Sequence, residues 1–450
     1  MNFEQMKEIL FAAAYRAGLT DFDVYYRMST DMSADALNRE PNSSAFGTAG
    51  GISFRCAVDG RIGSASTEAL TKSELEALVP RAMANAALVD ADEEPVFFAP
   101  TPDTVYTQVT AAKPAMPDAA SVRRTALELQ ERIYAATPLA ADGTETAAGA
   151  CEITVSLANS RGLSLSHSAA MHYAYAEAVV NDGGEPSFGV CSAPSLHADS
   201  GIAEKAVDEA LARLGGKPVK TGQYSAVFSA KQVSALFATF GGIFSGKNAM
   251  LGLSLLKGKE GTAVASPLLT VYDDPFYEKN TMQMPFDAEG VPTYKKALIE
   301  NGVLKTLLYD LTTAQKTGNR STGNAGRGSY ADPVSIRSYC RAIKPGDATL
   351  DELFADMGEG LYITELKGMH AGCDAVTGDF SIECAGFLVR EGKRAGAVKA
   401  FTVAGNFFDL MKNITRVGSE IESGICGFSM SAAPALLVRN LAVAGESENA

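Results

Sequence analysis

Two groups of side chains in this sequence have residue types that could carry out chemistry. The first group is His370, Cys373 and Asp374, within the segment GMHAGCDAVTG. A cysteine nucleophile needs a nearby base, and a carboxylate can orient that base. These three residues crowd into one glycine-rich turn, however, whereas such partners usually converge from distant parts of a chain. A turn with a structural role is therefore the competing interpretation.

The second group consists of Asp273, Asp274, Asp287 and Glu289. Carboxylate oxygens are the ligands of hard cations such as Ca²⁺ and Mg²⁺, so these residues could form a metal site. An exposed acidic loop without a metal explains the same residues. The sequence leaves both interpretations open.

Motifs of a self-contained enzyme are otherwise missing from the sequence. Neither HExxH nor HExxxH occurs, so no predicted helix places two imidazoles on one face to hold zinc. His167 and His172 lie five residues apart in a region predicted as strands, which would direct them to opposite faces. The segment 319–329 (NRSTGNAGRGS) lacks the spacing of a phosphate-binding loop, and we expect a surface loop there.

Composition limits the class of partner. The formal net charge of −14 argues against nucleic acid, whose binding needs a basic surface. No apolar stretch approaches the roughly 18 residues of a membrane span. The N-terminal segment carries Glu4 and Glu8 and has no basic region, so it predicts a helix and not a signal peptide. The 7 scattered cysteines never form CxxC, which is typical of reduced thiols. We therefore expect a cytoplasmic protein.

Hairpin signals predict the sheets that would carry these groups. The apolar arms Tyr294–Ile299 and Val303–Tyr309 flank Asn301-Gly302, and a type I′ turn needs positive φ at both central residues. A second hairpin turns at Asp59-Gly60. Because an isolated hairpin is marginally stable in water, both should belong to larger sheets.

The order of elements predicts an α+β fold with two domains, since a chain of 450 residues exceeds the size of a single core. Residues 1–216 are expected to place helices beside a sheet, and residues 217–450 to build on a large, mainly antiparallel sheet. Pro80 is expected to kink or divide the helix that begins after Thr71. A further helix, capped by Ser229, should direct Phe237 and Phe240 into the core.

Several segments, in order along nearly the whole chain, resemble the TldD/PmbA family. These are bacterial proteins once labelled modulators of DNA gyrase and understood as a two-subunit metallopeptidase. The segments that carry the resemblance are GGISFRCAVDGRIGSAST (50–67), ITVSLANSRGLSLS (153–166), VASPLLTVYDD (264–274), FDAEGVPTYKKALIENGVLKTLLYD (286–310), VTGDFSIECAGFLVREGK (376–393) and VAGNFFDLMKNI (403–414).

The resemblance also implies what has happened to the metal site. In the TldD branch a helix carries an HExxxH zinc motif, and a cysteine near the C-terminus completes the site. Here Phe237, Ala238 and Gly242 stand at the positions of the first His, the Glu and the second His, while Cys426 falls near the ligand cysteine. One thiolate cannot hold a catalytic zinc. The pattern is similar to the PmbA/TldE branch, which lacks the motif.

The resemblance therefore implies a catalytically incomplete subunit with a pseudo-active site, no catalytic residue and no cofactor of its own. Zinc would belong to a TldD-like partner in a heterodimer, although the isolated chain could form a homodimer. The substrates would be unfolded, extended peptides, bound by strand addition to sheet edges. Contact with the peptide or the partner is expected at Gly378, Asp379, Phe380 and Ser381.

Two other functions stay open at this point. The chain could be an independent enzyme that uses Cys373 with His370, or a metal held by the acidic group. It could also be a homodimeric binding or scaffold protein without catalytic activity. The gyrase-related label gains no support from charge or motifs.

Overall fold

The computed structural model describes residues 1–89, 96–426 and 429–446, and for residues 425, 426 and 429 it describes the backbone alone. Within these ranges the strands form a six-stranded sheet, a ten-stranded sheet and a small two-stranded sheet. Most pairings are antiparallel, and helices lie beside the sheets. The predicted α+β class is therefore confirmed.

The first half of the chain forms the six-stranded sheet. Its strands are β1 (Phe22–Leu37), β2 (Glu40–Val58), β3 (Arg61–Thr67), β4 (Glu145–Asn159), β5 (Ser164–Val180) and β6 (Ser187–Ala193). Their order across the sheet is β3-β2-β1-β4-β5-β6, and every neighbouring pair is antiparallel.

Four helices cover one face of this sheet. They are α1 (Phe3–Arg16), α2 (Lys72–Ala86), α3 (Ala119–Ala136) and α4 (Ile202–Arg213). The alternation of side chains along a strand explains the arrangement, since Val24 and Ala34 of β1 point to the helices while Tyr25 points away. Helix α1 begins with a capping box, in which Asn2 and Gln5 exchange two hydrogen bonds of 3.0 Å.

The second half of the chain forms the ten-stranded sheet. Its strands are β7 (Gly222–Phe228), β8 (Val271–Asp273), β9 (Lys296–Glu300), β10 (Val303–Leu304), β13 (Cys340–Ile343), β14 (Gly360–Lys367), β15 (Asp379–Arg390), β16 (Lys393–Asn406), β17 (Ile414–Cys426) and β18 (Ser429–Ala444), while β11 (Ala325–Gly326) and β12 (Ser335–Ile336) form the small sheet. Strand β18 pairs with β7, β13, β16 and β17. Pairings β7–β14–β15–β16–β18 return to β7, so these five strands close into a ring.

Short helices fill the connections of the second half. They are α5 (Ala230–Thr239), α6 (Gly246–Met250), α7 (Leu311–Thr317), α8 (Leu350–Met357), α9 (Met369–Gly372) and α10 (Phe407–Lys412). Helix α5 packs against β17 and β18. Among the described residues, no helix combines the length and apolar character needed to cross a membrane.

The two halves meet through the second face of the six-stranded sheet. Tyr25 and Ile153 on that face pack with Met282, Phe286 and Ala325 from the second half. The central part of the sheet is thus buried on both sides, by its own helices and by the other half of the chain. The division near residue 217 falls between the strands of the two sheets, and the independent folding of two domains stays a prediction.

Local turn chemistry predicted both hairpins correctly. Asn301 and Gly302 have φ of 47° and 80°, and Asp59 and Gly60 have φ of 48° and 74°. These are the positive values that the turn requires at both central positions.

Element lengths were less predictable. The sequence pattern predicts a strand over Phe22–Met28, but β1 continues to Leu37 because β2 and β4 pair with its small and polar residues on both sides. Conversely, only Val303–Leu304 of the predicted arm Val303–Tyr309 pairs as a strand. The expectation that Pro80 could divide its helix was wrong, since α2 runs through it without interruption.

A glycine at the contact between β6 and α4 should be indispensable for this packing. A Cβ on Gly189 would lie 1.9 Å from the Ala206 carbonyl oxygen of α4. We expect Gly189→Ala to lower the free energy of unfolding by about 1–3 kcal/mol, because backbone must move to relieve the overlap. Gly47→Ala, where nothing lies within 4 Å of the added Cβ, is the matched control in an exposed strand. Denaturant unfolding of both variants tests this, and equal stabilities would contradict it.

Candidate functional site

Helix α5 presents aromatic rings where a metal-binding helix would present imidazoles. Its N-terminus is capped by Ser229, which accepts the Gln232 N–H at 3.4 Å. Phe237 is 3% exposed, and its ring meets that of Phe407 edge-on at 5.1 Å between centroids. Phe240 stacks on the other side of Phe407 at 4.5 Å. The predicted inward direction of Phe237 and Phe240 is therefore confirmed.

Ala238 and Gly242 lie on a different side of the same segment, at the edge of a cleft of about 450 Å³. The other side chains and glycines around this cleft are polar, cationic or small, with two apolar residues among them: Gly241, Ser245, Lys247, Asn248, Leu308, Ser335, Ile336, Arg337, Ser338 and Arg341. Asn248 donates from Nδ2 to the Gly242 carbonyl oxygen at 3.0 Å, which fixes the wall of the cleft. Neither Ala238 nor Gly242 offers a metal ligand.

Within the described ranges, no group of three or more His, Cys, Asp or Glu side chains is arranged to hold a metal ion. Phe237, Ala238 and Gly242 supply no nitrogen, sulfur or oxygen from their side chains, so they do not fit zinc. Cys426, the remaining candidate, ends β17 and pairs through its backbone with Ser429. Its side chain lies outside the described residues.

The acidic group is buried, so the expectation of an exposed acidic loop was wrong. Asp273 is fully buried and accepts hydrogen bonds from Lys296 Nζ (3.3 Å), Asn324 Nδ2 (2.7 Å), Ser338 Oγ (2.8 Å) and the Tyr339 N–H (2.8 Å). Such a carboxylate is already saturated with donors from distant segments. Asp274 lies 2.9 Å from Lys295 Nζ.

Asp287 and Glu289 are buried beside each other under the six-stranded sheet. Asp287 accepts three backbone N–H groups, from Glu289, Val291 and Ala325. Burial nevertheless raises the pKa of Asp287 to about 6. Burial also raises the pKa of Glu289 to about 8, with Arg55 opposing this shift and Asp287 adding to it. Backbone N–H donors and the guanidinium of Arg55 therefore surround these carboxyl groups.

Sequence reasoning missed the buried arginines that join the two halves. Arg55 of β2 donates from Nε to both carboxylate oxygens of Asp23 at 3.0 Å, and its Nη1 lies 3.8 Å from Glu289 Oε1. Burial lowers the pKa of Arg55, but Asp23 and Glu289 outweigh burial and raise it. The signal in the sequence was a charged residue within the apolar strand ISFRCAV.

Arg327 lies next to this ion pair. Its Nη1 donates to Ser53 Oγ at 2.9 Å, and its guanidinium carbon is 4.6 Å from the centre of the Tyr25 ring. Burial, with the like charge of Arg55 second, lowers the pKa of Arg327 to about 10. The segment 319–329 was expected to be a surface loop, but Asn324 and Arg327 are buried, so that expectation was wrong for its second half.

His370, Cys373 and Asp374 form a turn and not a catalytic arrangement. Asp374 accepts the N–H groups of Val376 (2.8 Å) and Thr377 (3.1 Å), so its carboxylate stabilises the turn. Burial raises the pKa of the Cys373 thiol, which disfavours the thiolate. The competing interpretation of this segment, a structural turn, agrees with these contacts.

The two histidines of β5 each lie within hydrogen-bond distance of a backbone carbonyl oxygen. His167 and His172 lie on the single strand β5, and their Nε2 atoms are 2.8 Å and 2.9 Å from the carbonyl oxygens of Gln283 and Ala115. These imidazoles are thus engaged in packing separate segments onto the sheet.

In the stretch 378–381, inward and outward side chains alternate. Phe380 is buried against Phe240, while Asp379 and Ser381 are exposed. Gly378 has φ of 84°, and a Cβ there would lie 2.7 Å from the Phe408 ring. Contact with a peptide or partner through this stretch stays a prediction. Only the exposed side chains of Asp379 and Ser381 could make such a contact directly.

Comparison with known protein families identifies the family of this chain. The profile of the PmbA/TldA metallopeptidase C-terminal domain matches residues 221–445, half of the chain. The chain belongs to the PmbA/TldD family. Profiles of domain 1 and the central domain of the same family match residues 22–86 and 115–214.

Relatives within the family support this membership. The chain is 32% identical over 213 residues to the metalloprotease PmbA of Escherichia coli O157:H7, covering 47% of this chain and 45% of that protein. A metalloprotease of Methanothermobacter thermautotrophicus is 36% identical over 203 residues, covering 43% and 44%. The chain thus spans about half the length of the curated relatives it matches.

Solved structures match over the full length. A Thermotoga maritima protein, named as a modulator of a DNA gyrase, superposes with a TM-score of 0.89 at 28% identity, covering 98% of this chain and all of that one. TldE from Thermococcus kodakarensis gives a TM-score of 0.86 at 23% identity with the same coverage, which shows a common fold.

The protonated Glu289 should make stability depend on pH. Its pKa of about 8 in the folded state exceeds the value near 4.3 expected for an unfolded chain, so the folded state keeps a proton that the unfolded state has lost. Stability should therefore fall as pH rises from about 5 to 8, by up to about 1.4 kcal/mol per pH unit for this group. Glu289→Gln should flatten this slope.

Thermal unfolding measured across this pH range tests the prediction, with Glu278→Gln at an exposed position as the control. An unchanged slope in Glu289→Gln would show that the buried carboxyl group is ionised throughout.

Cys373→Ala should leave the folded protein and any peptide hydrolysis unchanged, because the thiol is held as a neutral group in a turn. The measurement is hydrolysis of a fluorogenic peptide by the isolated chain and by the chain mixed with a TldD-like homologue. A loss of activity of 100-fold or more, the scale expected for an essential nucleophile, would restore the thiol hypothesis.

Proposed function

We propose that this chain is the subunit of a TldD/TldE-type metallopeptidase that lacks the zinc motif and acts in the cytoplasm with a metal-bearing partner on extended peptides. The observation that carries the proposal is the position of Phe237 and Ala238 on α5, and of Gly242 in the 3₁₀ turn that follows it, beside the cleft. Phe237 is packed into an aromatic core and the other two have no ligand atoms. Such a helix keeps its packing and cannot support metal-assisted hydrolysis.

By this proposal the partner subunit supplies zinc and the general base, and this chain completes the chamber around the peptide. Membership of a family of metallopeptidases supports the reaction class. The fold shared with a protein named TldE supports the branch. In the absence of the partner, the same surface could pair with a second copy of this chain.

An open sheet edge supports the way the peptide would bind. Strand β3 pairs only with Ile52–Val58 of β2, while β1 pairs with β2 from Glu40 onward. Residues 40–51 of β2 therefore have no strand on their outer side among the described residues. An extended peptide can add to such an edge through backbone hydrogen bonds, largely without regard to its sequence.

Two observations support the cytoplasmic location. Met6 and Leu10 of α1 are buried in the first core, so this helix is part of the folded protein. The 6 cysteines whose side chains are described are all free. Free, mostly buried thiols are typical of a reducing compartment.

Native mass spectrometry of the chain, alone and mixed with an HExxxH-bearing homologue, tests the proposal. We expect the chain alone to bind no zinc stoichiometrically, and the mixture to form a heteromer that contains zinc and hydrolyses unfolded peptides. Stoichiometric zinc on the chain alone would overturn the proposal. A homodimer that never exchanges with the homologue would instead support the scaffold function.

A further inference from the structure

The cleft beside α5 has an unusual charge. Three cationic side chains, Lys247, Arg337 and Arg341, line it, and no Asp or Glu is among its lining residues. The whole chain has a formal net charge of −14, so an acidic residue would be expected in a surface region of this size. The cleft therefore concentrates positive charge on an otherwise acidic protein.

Arg341 is held in a fixed position at the floor of the cleft. Its Nη1 donates to the Phe237 carbonyl oxygen near the C-terminal end of α5, where carbonyl groups favour a cation. A Cβ on Gly241 would lie 2.3 Å from this guanidinium, so the glycine leaves room for the guanidinium in its present position. The charge is thus positioned before any ligand arrives, which reduces the cost of binding.

Arg337 links the cleft to the interior. Its Nε is buried without a hydrogen-bond partner among the described residues, although its guanidinium lies 4.9 Å from the centre of the Tyr339 ring. It also lines a second cavity of about 40 Å³ with Arg27 and Arg327. Two nitrogen atoms of Arg327, Nε and Nη2, are also buried without a hydrogen-bond partner among the residues that the structure describes.

Unpartnered buried N–H groups are costly and rare, so their presence at Arg337 and Arg327 points to an oxygen-bearing ligand. Arginine forks match the two oxygens of a carboxylate. A volume of about 450 Å³ lies within the usual range of ligand sites, whereas the inner cavity has room for little more than water. The cleft is the part that can admit a peptide.

We propose that this cleft binds a carboxylate group of an extended peptide, with Arg341 and Arg337 as its main contacts and Lys247 at the rim. The carboxylate can belong to an Asp or Glu side chain or to the C-terminus of the peptide. The proposal rests on the proposed function only in naming a peptide as the carrier of the carboxylate. It gives the cleft beside α5 a binding role of its own.

Fluorescence anisotropy of labelled peptides with the isolated chain tests this inference. One peptide has Asp and Glu side chains and an amidated C-terminus, a second has Asn and Gln with a free C-terminus, and a third has Asn and Gln with an amide. We expect at least one of the first two peptides to bind about tenfold or more tightly than the third. This factor corresponds to the free energy of one hydrogen bond to a charged group. The peptide that gains identifies the source of the carboxylate. Equal binding of all three would overturn the proposal.

Variants locate the binding. Arg337→Gln and Lys247→Met should each reduce the preference for the carboxylate peptide severalfold, and both should leave the neutral peptide unaffected. Lys247 is exposed, so its replacement should not disturb folding, and Lys279→Met, exposed and outside the cleft, is the matched control. A carboxylate preference that survives in both cleft variants would place the binding elsewhere and contradict the proposal.

The two proposals fail separately. If the heteromer with an HExxxH-bearing homologue forms but no carboxylate preference exists, the present inference fails and the proposed function stands. If the preference exists in the isolated chain but no heteromer forms, the proposed function fails and the cleft keeps its assignment.

Discussion

The ion pair of Arg55 and Asp23 is a buried interaction at the contact between the two halves. Both side chains lie on adjacent strands of the six-stranded sheet, under the cover of the second half. A charge in such a place costs several kcal/mol unless a partner and further hydrogen bonds compensate for it. Here each charge has the other, and Glu289 from the second half approaches the same guanidinium. Arg55, Asp23 and Glu289 therefore come together only when both halves are in position.

The acidic residues Asp273, Asp287 and Glu289 of the second half are structural as well. Asp273 binds donors from three separated segments, at Lys296, Asn324 and Ser338–Tyr339. Asp287 and Glu289 bind backbone N–H groups of residues 289–325. Carboxylates of this kind hold irregular loops together where no sheet ladder satisfies the backbone. A metal would have to displace these donors.

Local features were predictable from the sequence because their physical causes are local. The turns at Asn301-Gly302 and Asp59-Gly60 follow from backbone conformation, and the caps at Asn2 and Ser229 follow from single side chains. The burial of Asp273 was not predictable, since its partners lie 23 to 66 residues further along the chain. Arg327 was missed for the same reason, because its partner Ser53 is 274 residues away. The significance of Phe237 could be inferred only through the family resemblance, since a phenylalanine on an apolar helix face is ordinary.

The C-terminal end of α5 favours a cation, and in this chain Arg341 is the cation that lies there. The C-terminal end of α5 presents carbonyl groups with partial negative charge, and a cation is favourable there whatever its chemical nature. In the metal-bearing TldD branch of the family, the cation beside this helix would be zinc. In this chain Arg341 donates to the Phe237 carbonyl oxygen, and Gly241 leaves the space for its guanidinium. A guanidinium cannot activate water as a metal does, but it can bind a carboxylate at neutral pH without changing its protonation. Arg341 therefore gives this end of α5 an attraction for anionic groups.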